Sequence, residues 1–190
     1  MRLLLAVDVD STIWNTGARV REVVLETTGD VLDLEAVSTW THILDAYGEE
    51  ATTEIFERVL APGRARERQP YPGSAEVLRY LQEERGMRIH FLTRNHAPGA
   101  IKPHLEPWLK EHFGPDVGLT VTSGDKLPAL REIRAFGLVD DRPEILERVA
   151  DVGLWVAAKI QPWNRDLVAR RADVHGFADW REVPDLLLVL

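Results

Sequence analysis

A series of short apolar runs, each ending in polar residues and separated by helical segments, constrains this chain most. Leu3 to Val7 is continuously apolar and stops at Asp8-Val9-Asp10. A run of that length without alternation reads as a strand buried on both faces. Met87 to Leu92, Gly118 to Val121, Phe136 to Val139 and Gly153 to Val156 repeat the pattern. Between the first two, a segment opening at Pro72-Gly73-Ser74 carries Val77, Leu78 and Leu81 at helical spacing and stops at Gly86. Ile101 to Phe113 is predicted helical, shortened or kinked by Pro103 and Pro107. Glu144 to Ala150 puts Ile145, Leu146 and Val149 on one helical face. Strands alternating with helices imply an α/β protein with a parallel sheet and right-handed crossovers.

Residues 15–70 interrupt that alternation. Val20, Val23 and Val24 form one helical face, and Ile55, Phe56, Val59 and Leu60 another. Leu34 to Tyr47 is predicted helical too, and the polar stretch from Pro62 to Arg68 reads as a linker. The expected organisation is an α/β core of residues 1–14 and 71–190, with a small helical insertion at 15–70 after the first strand. At the other end, Val183, Leu186, Leu187 and Leu190 have the spacing of a helix packed on the core or, less readily, of a dimer contact. The oligomeric state is left open.

Composition narrows the chemistry. The 190 residues include no cysteine, which excludes disulfides, thiolate zinc sites and a cysteine nucleophile. The six histidines show no metal-ligand spacing. Lys plus Arg number 23 against 31 Asp plus Glu, a net charge of −8. That balance disfavours a nucleic-acid polymer as partner. No stretch approaches the roughly 18 apolar residues of a spanning helix, and the N-terminal run is too short for a signal segment. A soluble, cytoplasmic protein with no membrane partner is expected.

The acids are placed where strands end. Asp8-Val9-Asp10-Ser11-Thr12 follows the first apolar run, and Asp140-Asp141 follows Phe136 to Val139. In open parallel sheets the carboxyl ends of strands form the binding crevice. If both strands are central, four carboxylates meet there, and like charges so close need a cation. Oxygen ligands alone point to Mg²⁺ rather than zinc. Thr93, Arg94 and Asn95 follow another strand, and Lys126 follows the loop from Thr122 to Asp125. A hydroxyl, a guanidinium and an ammonium beside a metal-bound carboxylate suit a phosphoryl group. One carboxylate can then attack phosphorus while a second carboxylic acid protonates the leaving oxygen and later activates water. Each residue also has a plainer reading. Asp140 and Asp141 suit a helix N-terminus, Lys126 an ordinary surface lysine, and Thr93 an N-cap. Trp14, Trp40 and Trp163 fit either a cleft wall or packing; Arg142 reads as an ion-pair partner, and His96 as a substrate contact or a surface residue.

Asp8-Val9-Asp10-Ser11-Thr12, Thr93, Lys126 and Asp140-Asp141, in that order at strand ends, resemble the haloacid dehalogenase superfamily of phosphotransferases. The resemblance implies a Rossmann-like sheet core and a cap at residues 15–70. It implies that Asp8 is the nucleophile and Asp10 the general acid/base. Thr93 and Lys126 would bind phosphate, with Arg94 and Asn95 as further substrate contacts. Asp8, Asp10 through its backbone carbonyl, Asp140 and Asp141 would hold Mg²⁺. One departure is Ser11, where many members carry glycine. Pro70-Tyr71-Pro72-Gly73, Asp140 to Glu144 and Gln161-Pro162-Trp163-Asn164 look like the 5′(3′)-deoxyribonucleotidase-like branch, which implies a small phosphorylated substrate such as a nucleoside monophosphate. Polynucleotide 3′-phosphatases share an Asp-Asp-Arg stretch but typically lack such a cap. Sugar-phosphate phosphatases and a non-catalytic phosphate-binding module are the remaining alternatives.

Overall fold

The computed structural model describes residues 2–37, 39, 41–59, 61, 69–95 and 98–189. Among them six parallel strands form one sheet: β1 (Leu4–Val7), β2 (Arg88–Arg94), β3 (Gly118–Thr122), β4 (Gly137–Asp140), β5 (Trp155–Lys159) and β6 (Val174–Phe177). The spatial order is β3-β2-β1-β4-β5-β6. This is the order of a doubly wound, Rossmann-like sheet, and it reverses direction at β1. All four residues of β1 are buried, as the unbroken apolar run requires. Leu5 and Val7 face one core cluster; Leu4 and Ala6 face the other. Helices α3 (Ser74–Glu83) and α4 (Pro98–Phe113) cover the first face with the C-terminal segment. Helices α5 (Lys126–Ile133), α6 (Pro143–Asp151) and α7 (Arg165–Arg170) cover the second.

Helices α1 (Thr16–Thr28) and α2 (His42–Val59) lie between β1 and α3 in the chain and make a third, separate apolar cluster. Asn15 caps α1, its side chain accepting from the Ala18 N–H at 2.9 Å. Val20, Val23 and Val24 of α1 pack against Ile43, Ile55 and Val59 of α2.

Several expectations shift in detail. The helix predicted over Leu34 to Tyr47 is instead one 3₁₀ turn, Leu34–Ala36, and α2 begins only at His42. The β-branched residues Val37, Thr39 and Thr41 disfavour helix there, and α2 breaks again at Gly48, where φ is 77°. Pro103 and Pro107 do not stop α4, which runs unbroken from Pro98 to Phe113. Its face of Ile101, Leu105, Trp108, Leu109 and Phe113 is buried. Burial at about 1.5–3 kcal/mol per side chain outweighs two prolines at about 3 kcal/mol each. Strand β5 starts two residues later and ends three residues later than its apolar run, because Lys159 is buried, its Nζ donating to the Ala178 carbonyl at 2.8 Å. Strand β6 was not legible at all. It is a four-residue edge with a histidine and a glycine, and a Cβ on Gly176 would stand 2.4 Å from Val168 Cγ1. The C-terminal helix is only α8 (Val183–Leu186), followed by a 3₁₀ turn, with Val183 and Leu187 in the core. Trp40, Leu60, the 62–68 linker, His96 and Leu190 lie outside the described residues.

Candidate active site

The site forms where β1 and β4 run side by side. Val7 pairs with Val139, and the Asp8 N–H extends the ladder by donating to the Val139 carbonyl at 2.8 Å. Asp8 and Asp140 are thereby held at adjacent strand ends, at the point where the sheet order reverses. The chain then turns sharply. Ser11 is left-handed, with φ of 59°, and its N–H donates to Thr16 Oγ1 at 2.8 Å. A glycine is comfortable in that conformation; for serine it costs roughly 1–2 kcal/mol. The departure noted at Ser11 is therefore accommodated by a specific hydrogen bond.

Asp8, Asp140 and Asp141 are buried together, with one carboxylate oxygen of each within 4.8 Å of the others. Lys126, at the first position of α5, is buried between them. Its Nζ donates to Asp8 Oδ1 and, at 2.7 Å, to Asp140 Oδ2. Asp125 caps α5 and sets where that lysine starts. Asp140 Oδ1 accepts the N–H groups of Asp141 and Arg142 at 2.8 and 2.9 Å. Asp140 so combines a site carboxylate with a turn cap just ahead of α6, where Pro143 takes the first turn. Thr12 Oγ1 lies 3.2 Å from Asp8 Oδ2 and 3.4 Å from Asp141 Oδ1, able to donate to either. Trp163 Nε1 donates to Asp141 Oδ2 at 3.0 Å.

Burial pushes the Asp8 carboxyl up to about 7, aided by Asp140 and Asp10 and opposed by Lys126. Burial likewise raises Asp141 well above the ordinary carboxylate range, with Asp140 and Asp8 adding to it. Burial works against the Lys126 charge, but Asp140 and Asp8 outweigh it and hold the ammonium above its ordinary range. Among the described residues one ammonium faces three buried carboxylates, so a triad ionised together lacks positive charge there. A hard cation with oxygen ligands fits that deficit.

Asp10 stands apart from this triad. Its Oδ1 accepts from Trp14 Nε1 at 2.9 Å and from Thr16 Oγ1 at 3.4 Å; its Oδ2 accepts from Thr93 Oγ1 at 3.5 Å. Thr93 thus reaches the site through Asp10. Arg94 is exposed at the end of β2, and Asn95 is half-buried with its N–H on the Thr122 carbonyl at 2.8 Å. Arg142 pairs with Glu144.

The family model described as 5′ nucleotidase, deoxy (pyrimidine), cytosolic type C protein (NT5C) matches residues 2–190. The chain belongs to the NT5C family. No curated protein matches the sequence. Among solved structures, a haloacid dehalogenase-like family hydrolase from Xanthomonas campestris is 15% identical, with a TM-score of 0.58 over 99% of this chain and 95% of that one. D,D-heptose 1,7-bisphosphate phosphatase from Burkholderia thailandensis is 14% identical, with a TM-score of 0.60 over 100% of both chains. The enzyme of that name from B. bronchiseptica, complexed with magnesium and phosphate, is 14% identical, with a TM-score of 0.56 over 100% of this chain and 99% of that one. At such identities the likeness is one of fold. Membership of NT5C makes this chain a phosphatase enzyme of the haloacid dehalogenase class.

Beside the acids, this NT5C chain has a small apolar cleft, partly open to solvent. Ser11 of the acidic loop, Thr16, Val20, Leu34, Phe56 and Trp163 line it with neighbouring apolar residues. Sequence reasoning missed the hydrogen bonds of Trp14 and Trp163 to carboxylates, since an indole on a loop suits packing equally well. It also missed Thr16, and it marked Gln161 and Asn164 only as part of a family-like stretch, without a role. Gln161 Nε2 donates to the Ser11 carbonyl at 2.7 Å, which braces the left-handed turn. No described helix of the NT5C chain is long and apolar enough to cross a membrane.

Proposed function

We propose that this protein is a cytoplasmic, Mg²⁺-dependent phosphomonoesterase that works through an aspartyl-phosphate at Asp8. The observation that carries this reading is the buried Asp8 carboxylate, in contact with Lys126 and beside Asp140 and Asp141. Asp8 attacks phosphorus; an Asp8 oxygen–phosphorus bond forms as the ester oxygen–phosphorus bond breaks. Asp10 gives its proton to the departing oxygen. Water then attacks the same phosphorus, Asp10 takes its proton, and the acyl-phosphate bond breaks to regenerate Asp8 and release phosphate. Trp14 and Thr16 hold one Asp10 oxygen, and Thr93 lies 3.5 Å from the other.

Lys126 steadies Asp8 and offsets charge on the transferring oxygens, and Thr93, which reaches the site through Asp10, binds the phosphate with it. Arg94 and Asn95, at the same end of the sheet, contact the substrate. Asp8, the Asp10 backbone carbonyl, Asp140 and Asp141 would hold Mg²⁺, which would supply positive charge to the phosphoryl oxygens. The insertion between β1 and α3, residues 15–70, acts as a cap that closes over the site and excludes water.

The substrate is a small phosphomonoester, a (deoxy)nucleoside monophosphate. The NT5C family description and the apolar cleft with Phe56 and Trp163, which suits a planar base, support this choice. The test is a phosphate-release screen over nucleoside monophosphates, sugar phosphates and 3′-phosphorylated DNA, with and without EDTA. Deoxynucleoside monophosphates should turn over fastest, with no activity in EDTA and none after Asp8→Asn. Turnover confined to sugar phosphates or DNA ends would overturn the substrate class. An active Asp8→Asn protein would overturn the mechanism.

A further inference from the structure

Trp163 sits in the single turn Pro162–Asn164 that follows β5. Asn164 anchors that turn from full burial. Its Nδ2 donates to the carbonyls of Asp141 and Lys159 at 2.7 and 2.9 Å, and its Oδ1 accepts the Gln161 N–H at 2.9 Å. The backbone on either side of Trp163 is thereby tied to the Asp140–Asp141 loop. From this anchor the indole meets two regions at once. Its Nε1 donates to Asp141 Oδ2 at 3.0 Å, while its ring walls the cleft and packs on the apolar cluster of α1 and α2. Two residues after Trp163, Arg165 pairs with Glu35 at 2.7 Å.

A buried carboxylate with a donor on each oxygen has a defined rotamer. Here Trp163 donates to Oδ2, and the Thr12 hydroxyl, which Asp141 shares with Asp8, lies 3.4 Å from Oδ1. Donors to a ligating carboxylate orient it and set its affinity for the metal. An indole has only two rotatable bonds, so pressure on its face is carried to its N–H. Occupancy of the cleft and orientation of Asp141 therefore pass through one rigid ring.

We propose that Trp163 is a positioning residue that couples filling of the cleft by the nucleoside part of the substrate to cation affinity at Asp8, Asp140 and Asp141. The inference rests on the phosphatase reading of this site. Coupling between two ligands is reciprocal, so the cation tightens the cleft ligand by the same factor.

Calorimetric titration of the full chain with MgCl₂, with and without saturating thymidine, tests it without turnover. In the wild type, thymidine should tighten Mg²⁺ binding about fivefold or more. Trp163→Phe keeps a ring but removes the donor. It should weaken Mg²⁺ binding about 10- to 100-fold and abolish the thymidine effect. Trp163→His restores a ring N–H and should recover part of the affinity, which a purely structural role does not predict. Metal-free melting temperatures of both variants confirm that they fold. Unchanged Mg²⁺ affinity in Trp163→Phe would overturn the positioning role. Mg²⁺ affinity in the wild type that ignores thymidine would overturn the coupling. Neither result touches the phosphatase reading, which stands or falls on Asp8→Asn.

Discussion

Asp8 and Asp10 lie two residues apart on one loop, yet one is buried against an ammonium and two further acids while the other is half-buried and accepts from an indole and two hydroxyls. Asp8 is 5% exposed, contacts the Lys126 ammonium and shares its burial with Asp140 and Asp141. The backbone explains the difference. The Asp8 N–H still belongs to the sheet, whereas Asp10 lies in the loop, in an isolated bridge to Trp14. A nucleophile that must be placed in line with phosphorus gains from the sheet's rigidity. A proton carrier gains from a polar, adjustable setting. The roles proposed for these two identical side chains thus rest on their unlike surroundings.

The comparison breaks first at Asp8. Asp8→Asn should lower kcat about 10⁴-fold or more on the best substrate, because no group replaces a lost nucleophile. Lys126→Met comes next. It leaves buried carboxylates without their ammonium and should destabilise the metal-free protein by about 3–5 kcal/mol in urea unfolding. An unchanged midpoint would mean that the triad is already neutral when folded. Asp10→Asn should lower kcat about 10²- to 10⁴-fold on a nucleoside monophosphate. The loss should be smaller on nitrophenyl phosphate, whose leaving oxygen departs without a proton. Equal losses on both would erase the distinction between the two acids.

The smallest effect is on pH dependence. Burial, with Asp140 and Asp10 and against the pull of Lys126, moves the Asp8 carboxyl from an ordinary 3.8 to about 7. Between those values the folded protein holds a proton that the unfolded chain has released. Stability from this group is therefore full below about pH 4 and falls as pH rises through about 7. The metal-free melting temperature should drop between pH 5 and 7.5 by a few degrees more in the wild type than in Asp8→Asn. Mg²⁺ binds the ionised form, so its stabilising shift should be larger at pH 8 than at pH 6. A shift independent of pH would place the cation elsewhere.

Much of the scaffold was legible because central parallel strands are continuous apolar runs. Strands β1 to β5 each announced themselves that way, and so did the apolar faces of α1, α3 and α6. Strand β6 did not, since an edge strand with His175 and Gly176 carries no such run. The break before α2 escaped notice because apolar spacing continues across Leu34 to Tyr47 while backbone preference does not. At the site, the four acids, Thr93 and Lys126 were marked by their position at strand ends. Trp14 and Trp163 were visible only as residues with two readings, because nothing local distinguishes an indole that packs from one that also donates to an acid.

Local sequence was enough to place acids after particular strands, since a buried strand has a visible length and a visible end. It was not enough to say which strands are neighbours. That rests on contacts between residues more than a hundred positions apart, such as Val7 with Val139 and Lys126 with Asp8. Strand order turns a scatter of carboxylates into one buried triad, and burial then lifts Asp8 and Asp141 out of their ordinary range. Residue types along the chain set which groups are available. The tertiary structure decides their charge, because desolvation and the distance to the next charge exist only once the chain has folded.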